Sequence, residues 1–218
     1  DVSLSLRGLS RVTDQGLKPL ARLDNLRELS IQEIPVTDEG LKHLAGLTRL
    51  RSLTLRYNGR ITDQGLKPLS QLDNLRELSI EEIAVTDEGL KHLAGLTRLR
   101  SLTLRYNGRI TDKGVACLGG LTDLTTLWLN RVDITDNGLD TLAGLGNLER
   151  LHIYYGHVSS AGLLKLKGLS KLKTLSVGPI IARRDDVEEL RRELPRATFK
   201  PGGRIRVWVL RAEGVPGT

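Results

Sequence analysis

Along this chain one hydrophobic phrase, L-x-x-L-x-L, recurs at Leu26-Leu29-Ile31, Leu50-Leu53-Leu55, Leu75-Leu78-Ile80, Leu99-Leu102-Leu104, Leu124-Leu127-Leu129, Leu148-Leu151-Ile153 and Leu172-Leu175-Val177. The last two apolar positions of each phrase alternate with polar ones at period two, which predicts a short strand with one buried face. Between phrases, an apolar residue before Thr-Asp falls at Val12, Val36, Ile61, Val85, Ile110 and Ile134, and before Ser-Ser at Val158, in steps of 24, 25, 24, 25, 24 and 24 residues. In Thr37-Asp38-Glu39 and Thr86-Asp87-Glu88 the Thr predicts a helix N-cap, and the acids that follow suit the positive end of the helix dipole. Leu41, Leu44 and Leu47 then recur at spacing three, predicting a short helix with one inward face, and Gly46 and Gly95 stand where a left-handed C-cap is expected.

One such unit cannot hide its own apolar face, so the units must stack, with parallel strands on one side and short helices on the other. On these motifs the chain resembles the leucine-rich repeat family. The stretch TDEGLKHLAGLTRLRSLTL, read at Thr37 and again at Thr86, is similar to its bacterial 24-residue members, relatives of the cysteine-containing and ribonuclease-inhibitor-like repeats. The resemblance covers residues 1–182 and implies an α/β solenoid. That fold is a right-handed β-α superhelix with about eight parallel strands on a concave face and short helices on the convex face. The family's ladder position reads Leu9, Ile34, Asn58, Ile83, Asn107, Val132, Gly156 and Ile180, which denies the chain a continuous Asn ladder.

Residues 183–218 read as a C-terminal cap. Asp185-Asp186 open a helix carrying Val187, Leu190 and Leu194, Pro195 stops it, and two strands, RATF and RIRVWVL, flank a Pro-Gly-Gly turn with Trp208 opposite Ile205, Val207 and Val209. At the other end Asp1 leads directly into a strand with no capping helix, so an upstream continuation or a covering partner is expected.

Thr13–Ile61 and Thr62–Ile110 are 49 residues each and differ only at Ala21/Ser70, Arg22/Gln71, Gln32/Glu81 and Pro35/Ala84. The surface is copied along with the core, which points either to a recent duplication of a two-repeat cassette or to deliberate construction.

Composition adds little beyond this. Aromatics are 3% of residues, so leucine must build the core. A single Cys117 excludes an internal disulfide framework, no N-x-[ST] site occurs, and no apolar run reaches membrane-spanning length, so a cytoplasmic setting is expected. Net charge is +7, with 10 Lys and Arg against 6 Asp and Glu from Leu172 to Thr218, an excess of +4 in that tail. There Arg191, Arg192 and Glu193 interleave as on a solvated helix face, which argues against nucleic acid as the partner.

The register assigns the solvent-facing strand positions in rows. The third runs Ser3, Glu28, Ser52, Glu77, Ser101, Thr126, Arg150, Thr174; the fifth runs Ser5, Ser30, Thr54, Ser79, Thr103, Trp128, His152, Ser176. The seventh runs Arg7, Gln32, Arg56, Glu81, Arg105, Asn130, Tyr154, Gly178, and the eighth runs Gly8, Glu33, Tyr57, Glu82, Tyr106, Arg131, Tyr155, Pro179. Glu81 between Arg56 and Arg105 reads as an exposed cross-strand pairing of a few tenths of a kcal/mol per pair. Trp128, His152, Tyr154, Tyr155, Arg131, Arg150, Tyr106 and Arg105 crowd onto neighbouring strands, and rigid aromatics with Arg are the residue types that dominate binding hot spots. The competing reading is that Trp128 stacks on His152 and Tyr154 and simply covers the sheet.

No catalytic constellation emerges. His43 and His92 read as solvated, Cys117 as inert, and His157 with Ser159 and Ser160 lacks an orienting acid. The adjacent carboxylates Glu81 and Glu82 point apart, and no phosphate loop or metal motif is present. The expected function is a non-enzymatic, cofactor-free protein- or peptide-binding module within a larger protein, the alternative being an engineered or consensus-like scaffold without a natural ligand.

Overall fold

A computed structural model describes residues 2–178, 184–194 and 198–201. Each repeat opens with a strand: β1 (Val2–Arg7), β2 (Leu26–Gln32), β3 (Ser52–Arg56), β4 (Glu77–Glu81), β5 (Ser101–Arg105), β6 (Thr126–Asn130), β7 (Arg150–Tyr154) and β8 (Thr174–Gly178). A ninth, β9 (Thr198–Pro201), follows the last helix, and all nine form one open parallel sheet in chain order. Each L-x-x-L-x-L phrase sends its leucines inward. In β3 and β5, Leu53, Leu55, Leu102 and Leu104 are essentially inaccessible, and the intervening residues stay half-exposed.

The pairing matches the predicted third, fifth and seventh rows residue for residue: in the third, Ser3 lies beside Glu28, then Ser52, Glu77, Ser101, Thr126, Arg150 and Thr174.

Opposite the strands, each connection makes one short helix: α1 (Asp14–Leu17), α2 (Asp38–Leu41), α3 (Asp63–Leu66), α4 (Asp87–Lys91), α5 (Asp112–Ala116), α6 (Asp136–Ala143) and α7 (Ser160–Leu163). Most run on into a turn of 3-10 helix, two of which carry Pro19 and Pro68 near their starts, where no backbone N–H is needed. Thr37, Thr62, Thr86, Thr111 and Thr135 cap their helices as predicted, each accepting a backbone N–H two residues on. The C-caps differ from expectation. Neither Gly46 nor Gly95 is left-handed; the chain leaves through tight turns, Leu47 donating to the Leu44 carbonyl and Leu96 to that of Leu93.

The Asp of Thr-Asp does more than complement a dipole. Asp14 accepts both the backbone N–H and the hydroxyl of Thr37 in the next repeat, at 2.7 and 2.8 Å. The same two-pronged contact joins Asp38 to Thr62, Asp63 to Thr86, Asp87 to Thr111, Asp112 to Thr135 and Asp136 to Ser159. Three residues after each receiving Thr or Ser stands a glycine. A Cβ at Gly40, Gly65, Gly89, Gly114, Gly138 or Gly162 would fall within 3.0 Å of the preceding repeat's carboxylate oxygen. These glycines are required by a close approach, since none has positive φ.

A second side-chain ladder runs in alternate coils only, as the sequence implied. Asn58 is buried and donates to the carbonyls of Ile31 and Arg56 while accepting from the Ile34 N–H; Asn107 repeats this with Ile80, Arg105 and Ile83. At the intervening positions Ile34, Ile83 and Val132 fill the core instead.

Positive φ sits at the same end of the strand, one residue before the ladder position, in the eighth-row residues: Gly8, Glu33, Tyr57, Glu82, Tyr106, Arg131 and Tyr155 lie between 50° and 64°. The ladder recovers part of that cost, because each of their N–H groups donates to the next strand, as Tyr106 does to the Asn130 carbonyl at 2.8 Å.

The last repeat is followed by α8 (Arg184–Glu193), whose Leu190, with Leu194 just beyond it, joins the core. Pro195, the residues from Gly202 onward and Trp208 lie outside the described residues.

Two glycine substitutions separate the clamp from ordinary helix propensity. Gly114→Ala, forced against Asp87, is expected to lose about 1–3 kcal/mol in urea denaturation. Gly95→Ala, with nothing within 4 Å of the added methyl, is expected to be neutral or slightly stabilising.

Candidate partner-binding face

The exposed sheet face changes character along its length. Through β5 the fifth row carries only Ser and Thr; at β6 it becomes Trp128, and at β7 His152. In-register parallel pairing holds adjacent Cα atoms about 4.8 Å apart, so flat side chains in one row must stack. Trp128 and His152 do so, ring centroids 3.6 Å apart and planes within 14°. Tyr154, two positions along β7 on the same face, lies 6.4 Å from both rings. His152 is buried in this stack, while Trp128 and Tyr154 remain half-exposed. The cluster therefore covers part of the sheet and at the same time presents aromatic surface.

A second group gathers where the strands end. The Arg131 guanidinium lies between Tyr106 and Tyr155, 5.3 and 5.0 Å from their ring centroids, and Arg105 approaches Tyr106 at 5.7 Å. The left-handed backbone at the eighth row places these side chains, and Tyr106 and Tyr155 are both exposed. The cation–π contacts hold Arg131 in place. Arg150 stands apart from both groups: its Nε donates to the Thr126 hydroxyl, with Glu149 at 3.9 Å.

Glu81 is not the exposed partner that its row suggested. It is 4% exposed, accepts from Arg56 Nη2 at 2.5 Å and from the Ser79 hydroxyl at 3.0 Å, and has Arg105 Nη1 at 3.6 Å. The hydrogen bond to Glu81 raises the Arg56 pKa above its ordinary value against the opposing effect of burial. A carboxylate this buried is tolerable because it is charge-paired on both sides. The first cassette has Gln32 here, which instead donates to Ser30 at 2.6 Å.

The remaining candidates stay dispersed. His157 does meet an acid, Asp133 at 3.4 Å, contrary to expectation; both are exposed. Ser159 already donates to Asp136 and accepts from Gly162, so the three do not form a relay. Cys117 is half-buried, its thiol 3.6 Å from the Lys113 carbonyl. Among the described residues no cluster of three or more His, Cys, Asp or Glu could hold a metal ion, and no helix is long and apolar enough to cross a membrane.

A family described as Leucine Rich repeat matches residues 47–70 and 96–119, two segments 49 residues apart that each begin near the end of a cassette and run on past it. Among solved structures, an internalin C2 from Listeria monocytogenes is similar at 26% identity and a TM-score of 0.63, over 83% of this chain and 80% of that one. A second internalin from the same organism aligns at 24% identity and a TM-score of 0.45, over 87% of this chain and 66% of that one. No curated protein matches the chain by sequence.

The Glu81 geometry yields a stability test. Glu81→Gln removes a buried carboxylate from between two guanidinium groups and is expected to lower unfolding free energy by about 1–3 kcal/mol, read from the urea midpoint. Glu82→Gln, at the exposed neighbouring position, should change it by less than about 0.5 kcal/mol.

Proposed function

We propose that this chain, which is a leucine-rich repeat protein, is a non-enzymatic module that captures a protein or peptide on the exposed, concave face of its sheet around β5 to β7. Folds of this kind commonly serve as protein-binding modules, and the observation that carries the reading here is the Trp128–His152–Tyr154 stack. A sheet face kept soluble by Ser and Thr needs no Trp, and the change from hydroxyls to rings occurs within one strand spacing. The rings stack on one another and Arg131 lies between two tyrosines, so little side-chain entropy is left to lose on binding. Tyr106, Arg131 and Tyr155 extend the contact surface, with Arg105 behind them. Arg150, held by Thr126, borders it.

The near-identity of the two 49-residue cassettes favours a second reading, a consensus-like scaffold with no ligand of its own. Display selection of peptides on the intact chain separates the two. Under the binding reading, selected peptides lose about 2 kcal/mol or more of affinity to Trp128→Ala and to Tyr154→Ala but not to Tyr57→Ala, with circular dichroism confirming the fold of each variant. Peptides indifferent to all three substitutions would leave the scaffold reading standing.

A further inference from the structure

We propose that Arg27, Arg51, Arg76 and Arg100 form a second binding site, a cationic track for an acidic peptide segment of a partner protein. It is distinct from the aromatic cluster and does not depend on it. The four occupy one row, immediately before the third-row residues Glu28, Ser52, Glu77 and Ser101. Consecutive backbone bonds lock the row: Arg51 N–H donates to the Arg27 carbonyl, Arg76 to Arg51 and Arg100 to Arg76, at 2.7–2.8 Å. Strand pairing therefore sets four guanidinium-bearing residues about 4.8 Å apart in line.

Like charges at that spacing repel, and a folded protein ordinarily interleaves acids to offset this. None of the four has a carboxylate within ion-pair distance among the described residues. Farther along, the same row shows the ordinary solution, for Lys173 pairs with its row neighbour Glu149 at 2.9 Å. The unneutralised stretch coincides with a groove of about 380 Å³ lined by Arg27, Arg51, Asn74, Arg76 and Arg100. Arg27 and Arg76 are steadied by donating to the Arg49 and Arg98 carbonyls, while Arg51 and Arg100 are exposed and their side chains make no hydrogen bond among the described residues. Two held and two free guanidinium groups alternate along the groove.

A carboxylate-bearing peptide fits this chemistry better than a nucleic acid. Glu28 and Glu77 line the adjoining groove beside the arginines and would repel a continuous phosphate track. A peptide can give carboxylates to the arginines in two-pronged contacts and N–H or hydroxyl donors to the glutamates. Neither groove is lined by an aromatic ring on which a base could stack.

The test is fluorescence anisotropy with the full chain and a fluorescein-labelled alternating Glu-Ser peptide. Saturable binding at low ionic strength that weakens as salt is added is expected. The Arg51→Gln/Arg100→Gln pair should weaken it about tenfold. Lys18→Gln/Lys67→Gln, which removes the same charge from the helical side, should leave it unchanged, as should Trp128→Ala. The proposal is overturned if the wild-type chain does not bind the peptide or if both double variants lose affinity equally. It also fails if Trp128→Ala abolishes binding, or if a labelled oligothymidylate binds as tightly as the peptide.

Discussion

The distance between neighbouring coils is the constraint on which everything else in this molecule rests. A leucine at the second or third apolar position of a phrase is buried only if the next coil lies at strand-pairing distance, and that distance must hold on both sides. Backbone hydrogen bonds set it on the sheet side. On the helix side it is set by the two-pronged contact from each Asp to the following repeat's Thr or Ser, with glycine three residues later because the carboxylate occupies the space a methyl would need. Thr-Asp-x-Gly is thus one device: the Thr starts its own helix and receives the preceding coil, the Asp reaches the next, and the Gly lets the two approach. The series ends at Ser159-Ser160, where the second position no longer carries a carboxylate to pass on.

From Ser3 onward the register of β1 to β8 was legible, because period-two alternation and a fixed repeat length leave one arrangement that buries the leucines of each phrase; β9, read from the sequence as part of a separate turn-linked strand pair, instead extends the parallel sheet beside β8. Rows written from the sequence are the rows that pair. The Asp clamp was hidden by an adequate local explanation: an acid in the first turn of a helix already satisfies the dipole, and nothing local signals a partner 23 or 24 residues ahead. Gly46 and Gly95 misled for the same reason, since a glycine after a helix suggests a left-handed cap when a short 3-10 exit leaves no need of one. The clue available in advance was the recurrence of glycine at the same offset after Thr in repeat after repeat, unlike the drifting loop glycines.

The candidate face shows which part of such a surface a row assignment can reach. That Trp128, His152 and Tyr154 share a side followed from register alone. That His152 is covered by the stack, and that Glu81 is nearly inaccessible, depended on side-chain packing that no periodicity encodes. The left-handed residues at the strand ends were likewise unmarked, because Tyr, Glu and Arg are not types that announce positive φ. Their conformation is imposed by the next strand, whose carbonyl captures the N–H.

The duplicated cassette carries a consequence for how long such a molecule can be. The junction between the two copies repeats the clamp, here from Asp38 to Thr62, and the strand pairing found elsewhere in the stack, so a unit added or removed there meets surfaces already suited to it. A closed barrel would have to re-tilt every strand to admit one more. Here contour length is a free variable, open to unequal recombination, and the reach of the binding surface can change in a single genetic event with no core residue altered.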